Sequence, residues 1–76
     1  MNKAQLLDIV ERYCRTGVSG TDQVKIVLIP NQKTIYIEKH GNTGRSVGLS
    51  KHLVDGRIYW AGYSSLSETV YISKFN

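Results

Sequence analysis

The chain has 76 residues and a hydrophobic fraction of 41%, enough for one thin core but not for an enzyme with separate substrate and cofactor domains. Charged residues make up 21%, close to the value of ordinary globular proteins, so we expect one ordered domain over residues 1–76. The longest purely apolar run, residues 26–29, is far too short to cross a bilayer, which argues against a membrane protein. A single cysteine and no recognisable secretory leader suggest a cytoplasmic location.

The net charge of +4 is concentrated in the middle of the chain. Residues 1–22 carry three basic and three acidic side chains, and residues 58–76 carry one of each, so both segments are neutral. Residues 23–57 carry six basic side chains against Glu38 and Asp55. This placement predicts an anionic partner, either an acidic protein surface or a nucleic acid. Lysines that only prevent strand edges from pairing would give the same pattern.

The segment before Gly17 has the pattern of an amphipathic helix. Its apolar side chains recur at helical spacing, at Leu6, Ile9, Val10, Tyr13 and Cys14. Asn2 and Gln5 have the spacing of a capping box, and Gly17 supplies the left-handed residue that ends many helices. Because Cys14 falls on the apolar stripe, we expect it to be a buried core thiol.

Four later segments have the composition of strands: residues 24–29, 34–39, 57–63 and 69–75. Turn-forming residues separate them at positions 30–33, 40–44 and 64–68. The last two segments are expected to pair as a hairpin. The sequence therefore predicts an α+β fold, with one N-terminal helix packed on an antiparallel sheet of four or five strands.

Residues 45–54 permit two interpretations. In the first, Asp55 and Gly56 form a two-residue turn that joins a strand at 49–54 to the strand at 57–62. In the second, a short strand at 45–49 precedes one helical turn that Ser50 caps and Gly56 ends. We favour the second interpretation.

Strand periodicity assigns the side chains of the sheet to two faces. We expect one alternating set to pack beneath the helix: Ile35, Ile37, Ile58, Trp60, Val70 and Ile72. The opposite, open face then carries one tyrosine at the centre of each of three strands: Tyr36, Tyr59 and Tyr71. Such a face could stack nucleic-acid bases, contact a protein or form a homodimer. Alternatively, the tyrosines only stabilise neighbouring strands.

No motif in the sequence requires catalysis. A zinc site needs about four ligands at recognisable spacing, and the sequence shows none, so we expect no metal, cofactor or catalytic residue. The glycine-rich residues 41–48 lack the lysine of a phosphate-binding loop, although Arg45 there could contact a partner. Glu38 and His40 lie two apart on one strand and could form an acid–base pair, but we expect them to be solvated.

These features together predict a small, non-enzymatic binding protein. We expect its contact residues among the tyrosines and the central basic residues: Tyr36, Tyr59, Tyr71, Arg57, Arg45, Lys39 and Lys51. Small single domains of this type include phage and mobile-element accessory proteins that inhibit host nucleic-acid machinery, such as anti-CRISPR proteins. That association rests on size and type, not on sequence. Direct binding of DNA or RNA by the same basic, aromatic surface is the alternative.

Overall fold

The computed structural model describes residues 1–74. Its elements follow the order α1 (Lys3–Thr16), β1 (Lys25–Pro30), β2 (Ile35–His40), β3 (Thr43–Gly48), β4 (Ser50–Val54), β5 (Arg57–Ser64) and β6 (Thr69–Lys74). Four strands form a sheet in the order β1-β6-β5-β4, and β2 and β3 form a separate hairpin. The predicted α+β class with an N-terminal helix is confirmed. No helix within residues 1–74 is long and apolar enough to cross a membrane.

Helix α1 begins and ends where the sequence predicts. The Asn2 side chain accepts a hydrogen bond from the Gln5 amide at 2.8 Å, and the Gln5 side chain accepts one from the Asn2 amide at 3.0 Å. This capping box satisfies amide groups that the first turn leaves without helical partners. At the other end, Gly17 adopts a φ of 80° and donates its amide hydrogen to the Tyr13 carbonyl.

The four-stranded sheet is mixed rather than wholly antiparallel. β4 pairs with β5 and β5 with β6 in antiparallel fashion, whereas β1 runs parallel to β6 at the edge of the sheet. Local turn signals cannot reveal this parallel pair, because the two strands come from distant parts of the chain. The predicted extension of the last strand to Phe75 lies outside the described residues.

In our favoured interpretation of residues 45–54, the short strand expected at 45–49 corresponds to β3. The helical turn expected after it is wrong, because Ser50–Val54 is the strand β4. Asp55 and Gly56 have φ values of 51° and 81°, the left-handed backbone that a tight two-residue hairpin turn requires. The turn lets β4 pair with β5 along its whole length, with Val54 opposite Arg57 and Ser50 opposite Ala61. This pairing supplies ladder hydrogen bonds that one isolated helical turn would lack.

The four-stranded sheet has an apolar cluster on each face, whereas we expected only the helix side to be covered. On the helix side, buried residues of α1 pack against Val54, Tyr59, Ala61, Val70 and Ile72. On the other side, the β2–β3 hairpin covers a second cluster made of Ile29, Val47, Leu49 and Tyr71, with Tyr36 and Trp60 at its margin. Val70 and Ile72 thus face the helix as predicted.

The orientations predicted for β2 and β5 are wrong. Tyr59 lies beneath the helix at 8% exposure, and Trp60 points to the hairpin side. Ile35 and Ile37 are about half exposed, because β2 turns Tyr36 inward instead. The reason is that both faces of the sheet are covered, so apolar residues occupy both alternating sets and the pattern does not identify the helix side.

The hairpin approaches the sheet closely at a pair of glycines, Gly48 and Gly62. A Cβ atom at Gly62 of β5 would overlap the Gly48 carbonyl and would lie 2.9 Å from Leu49 Cδ2. Only glycine at position 62 permits this approach of backbone to backbone. From there the chain runs through Leu49 directly into β4, so the hairpin and the sheet edge are positioned together.

Candidate functional site

The three tyrosines do not form one open face. Tyr59 is buried on the helix side of the sheet, and Tyr71 is buried on the opposite side beneath the β2–β3 hairpin. Tyr36, on that hairpin, packs on Tyr71 with ring centroids 4.7 Å apart. The expectation that they share an outward surface is therefore wrong, and the burial of Tyr59 and Tyr71 leaves neither ring free to stack on a base.

Tyr59 is buried between helix and sheet, and Cys14, which was expected to be buried, is only partly buried beside it. Burial raises the pKa of Tyr59, and the adjacent Cys14 thiol raises it further. Burial likewise raises the pKa of Cys14, against a smaller lowering by its hydrogen bond with Tyr59. A thiol with a raised pKa is a weak nucleophile, which fits the expectation that Cys14 serves in packing.

Glu38 is a buried carboxylate at the centre of a hydrogen-bond network that the sequence did not predict. It is only 3% exposed, although it was expected to be solvated. Its Oε1 accepts a hydrogen bond from Ser64 Oγ at 2.7 Å and lies 3.0 Å from His40 Nε2. Its Oε2 accepts hydrogen bonds from Ser67 Oγ at 2.6 Å and from the Tyr71 hydroxyl.

These hydrogen bonds keep Glu38 ionised. Donors from Ser67, Tyr71 and Ser64 stabilise the carboxylate and lower its pKa to about 2, against the opposing effect of burial. Burial and the hydrogen bond to Glu38 raise the pKa of Tyr71. A carboxylate with so low a pKa is a poor general base, so the network serves to fasten β2 to the β5–β6 end of the sheet.

Two exposed apolar side chains of the four-stranded sheet lie next to each other on β4 and β5. Leu53 is 67% exposed and pairs across the strands with Ile58, which is 43% exposed. The next pair on the same face is Lys51 with Trp60, and Trp60 is partly buried. We call these four residues the β4–β5 patch; it combines an apolar centre with a basic side chain.

A second exposed apolar surface is the outer side of the β2–β3 hairpin. Ile35, Ile37 and Lys39 alternate outward along β2. The β3 residues opposite them are small: Gly48, Ser46 and Gly44. Because the β3 residues are small, the isoleucine side chains of β2 project further from the hairpin than their β3 neighbours do. We call Ile35, Ile37 and Lys39 the hairpin ridge.

The structure separates the four basic residues that were expected to contact a partner. Lys51 belongs to the β4–β5 patch and Lys39 to the hairpin ridge, whereas Arg45 lies opposite Glu38 in the hairpin. Arg57 shares the helix side of β5 with Tyr59, so it faces away from Lys51. Across residues 1–74, Lys39, Arg45 and Lys51 form no ion pair with a carboxylate.

Two arginines of helix α1, in contrast, form ion pairs with carboxylates. Arg12 forms an ion pair with Asp8 at 3.0 Å, and Arg15 forms one with Asp55 at 3.1 Å. The positive charge available to a partner is therefore concentrated on the strands of the central segment, in agreement with the distribution along the sequence.

In the part of the chain that the structure covers, no group of three or more His, Cys, Asp or Glu side chains lies close enough together to hold a metal ion. Comparisons with protein-family models, with curated proteins and with solved structures found no match to this chain.

Proposed function

We propose that this chain is a non-enzymatic binding protein that docks on a partner protein through the β4–β5 patch, with the hairpin ridge as a further contact. The observation that carries this proposal is the cross-strand pair of Leu53 and Ile58, which holds two large apolar side chains in water on a rigid sheet. Exposed apolar patches of this kind are typical of interaction surfaces.

The chemistry of the patch defines the partner. Complete burial of a fully exposed leucine or isoleucine side chain contributes about 1.5–3 kcal/mol. Leu53 and Ile58 are 67% and 43% exposed, so together they can supply the centre of an interface. Lys51 beside this pair has no carboxylate partner within residues 1–74 and would meet an acidic group at the rim. A matching partner therefore presents an apolar depression bordered by aspartate or glutamate.

We further propose that the chain acts in the cytoplasm as an inhibitor of a host nucleic-acid-handling complex, of the anti-CRISPR type. The support for this proposal is the small size, the lone cysteine and the charge of +4. Of the residues named from the sequence, Lys51 and Lys39 lie on the proposed contact surfaces. Arg45 and Arg57 remain proposed contacts outside them.

The experiment that tests the proposal is capture of partners from extract of the source cell by the immobilised protein, with and without nuclease. The double variant Leu53→Thr/Ile58→Thr keeps strand-forming residues and removes apolar surface, so it should lose a partner that the wild type retains after nuclease. Leu66→Ser is the matched control, because Leu66 is 58% exposed in the β5–β6 loop, outside the patch. Equal capture by wild type and double variant would contradict the proposal.

Direct binding of a nucleic acid is the second candidate, favoured by the placement of Lys51 opposite the partly exposed Trp60 ring. Binding of that kind should weaken steeply as salt rises, because each phosphate contact releases counterions. An apolar protein interface should be much less sensitive. Titrating labelled single- and double-stranded DNA of random sequence with the protein, at low and physiological salt, separates the two candidates.

A further inference from the structure

Strand β1 is an edge of the four-stranded sheet, and its backbone directions can be read from two hydrogen bonds. The Lys25 amide donates to the Glu68 carbonyl and the Asn31 amide to the Lys74 carbonyl, both on the β6 side. Since backbone groups alternate along a strand, those of Ile26 and Leu28 point away from β6. Pro30 points away from β6 as well, so the N–H that it lacks removes no hydrogen bond between β1 and β6.

The side chains along this edge are apolar and incompletely covered. Val27 is 39% exposed on the hairpin side, and Leu28 is 49% exposed on the helix side. Helix α1 packs over β4 and β5, away from β1, so Leu28 borders an open depression between helix and sheet that Tyr13, Gly17 and Ile72 also line. The chain leaves β1 toward β6, because the Gln32 amide donates to Ser73 Oγ at 2.7 Å.

We propose that β1 pairs with β1 of a second copy of this chain, antiparallel about a two-fold axis at Val27. This register sets Ile26 of each copy opposite Leu28 of the other, so all outward donors and acceptors of these two residues are used. It sets Val27 opposite Val27, and Lys25 opposite Ile29, so no like charges meet. The resulting sheet is continuous across both copies and has eight strands, twice the four of one copy.

Pairing in a neighbouring register, or through the other edge of the sheet, is less favourable. An axis at Leu28 would place Pro30 opposite Ile26, and Pro30 has no N–H to donate to the Ile26 carbonyl. The opposite edge strand, β4, carries the polar residues Ser50, Lys51 and His52, a composition that discourages pairing between edges. On β1, the only charged residue is Lys25, at its beginning.

The first test is the mass of the protein in solution, measured by light scattering after size-exclusion chromatography over a range of concentrations. The wild type should have twice the 8.6 kDa mass of the chain. Val27→Lys should return the mass to that of one chain, because it sets two lysines face to face at the axis. Leu53→Lys, on the far edge strand, should leave the dimer intact. A wild type of single-chain mass at every concentration would overturn the proposal.

A second test examines the register, in a background in which Cys14→Ser removes the native thiol. Val27→Cys places two cysteines directly opposite each other in a pair without mutual backbone hydrogen bonds, at a Cα separation of about 4.5 Å that a disulfide accepts. Mild oxidation should therefore link the copies covalently. Leu28→Cys, which would face Ile26, should not link. Equal cross-linking of both variants, or none of either, would contradict the two-fold axis at Val27.

Discussion

Gly48 of the β2–β3 hairpin passes directly over Gly62 of β5, so the hairpin rests on the sheet without an intervening side chain at that point. Close packing of two backbones leaves no room for a methyl group. From Gly48 the chain continues through Leu49 into β4, which carries Lys51 and Leu53 of the proposed contact surface.

The first prediction concerns this contact. Gly62→Ala should destabilise the protein by about 1–3 kcal/mol, because the added Cβ would overlap the Gly48 carbonyl and press on Leu49. Gly48→Ala is the control, since a Cβ there would meet no atom within 4 Å. Urea unfolding of the two variants checks the prediction. Equal stabilities would show that the hairpin does not lie on the sheet at this point.

The second prediction concerns the dependence of stability on pH. The pKa of Glu38 falls from 4.5 to about 2 on folding, so its ionised form stabilises the fold above the unfolded pKa. That contribution should be lost as the pH falls from about 5 to about 2. Glu38→Gln should remove it, giving a less stable protein at neutral pH and a smaller loss on acidification.

Unfolding by urea at neutral, mildly acidic and strongly acidic pH measures this difference. Glu68→Gln is the control, because Glu68 is exposed in the β5–β6 loop and its side chain accepts no hydrogen bond from Ser64, Ser67 or Tyr71. If Glu38→Gln retains the acid sensitivity of the wild type, the carboxylate does not hold the hairpin in the way described.

The third prediction concerns the orientation of β5. Tyr59→Ala should cost about 3–5 kcal/mol, because it empties a site beneath the helix that Cys14 and Val54 border. Ile58→Ala, at the adjacent and exposed position, should change stability by no more than about 0.5 kcal/mol. Thermal melting compares the two variants. The reverse order would restore the orientation that the sequence pattern suggested.

The fourth prediction concerns charge. Lys51→Glu should weaken partner binding without loss of stability, since Lys51 is exposed beside the apolar pair of the β4–β5 patch. Arg12→Glu should leave binding unchanged, because Arg12 lies on the helix and pairs with Asp8. Binding of the captured partner to each variant, together with a thermal melt, checks the prediction. Equal losses in both variants would mean that the central basic segment has no special role.

The sequence predicted the elements that local signals define. The Asn2–Gln5 capping box and Gly17 mark the ends of α1, and alternation placed Val70 and Ile72 beneath it, as the structure has them. The predicted orientation of β5 was wrong, because Ile58 and Trp60 alternate along this strand with Tyr59 and Ala61, which also pack in an apolar cluster. Such a strand has two apolar faces, so periodicity cannot say which one meets the helix.

The hydrogen-bond network around buried Glu38 could not be predicted from the sequence, for a different reason. Glu38 receives its hydrogen bonds from Ser64, Ser67 and Tyr71, which lie 26, 29 and 33 residues further along the chain. No local spacing relates these positions, and only the fold of the hairpin over the sheet brings them together. One partial signal existed, because alternation had already placed Tyr36 and Tyr71 on the side away from the helix, and Glu38 is two residues from Tyr36 on the same strand.

The proposed contact surface is tested most directly by a photoreactive amino acid at position 53. Benzoylphenylalanine in place of Leu53 should join the protein covalently to its partner on irradiation, because the Leu53 side chain would lie at the centre of the interface. The same residue in place of Leu66, which is also exposed but lies in the β5–β6 loop, should give little product. Strong cross-linking from position 66 with none from position 53, while the partner still binds, would contradict docking through the β4–β5 patch.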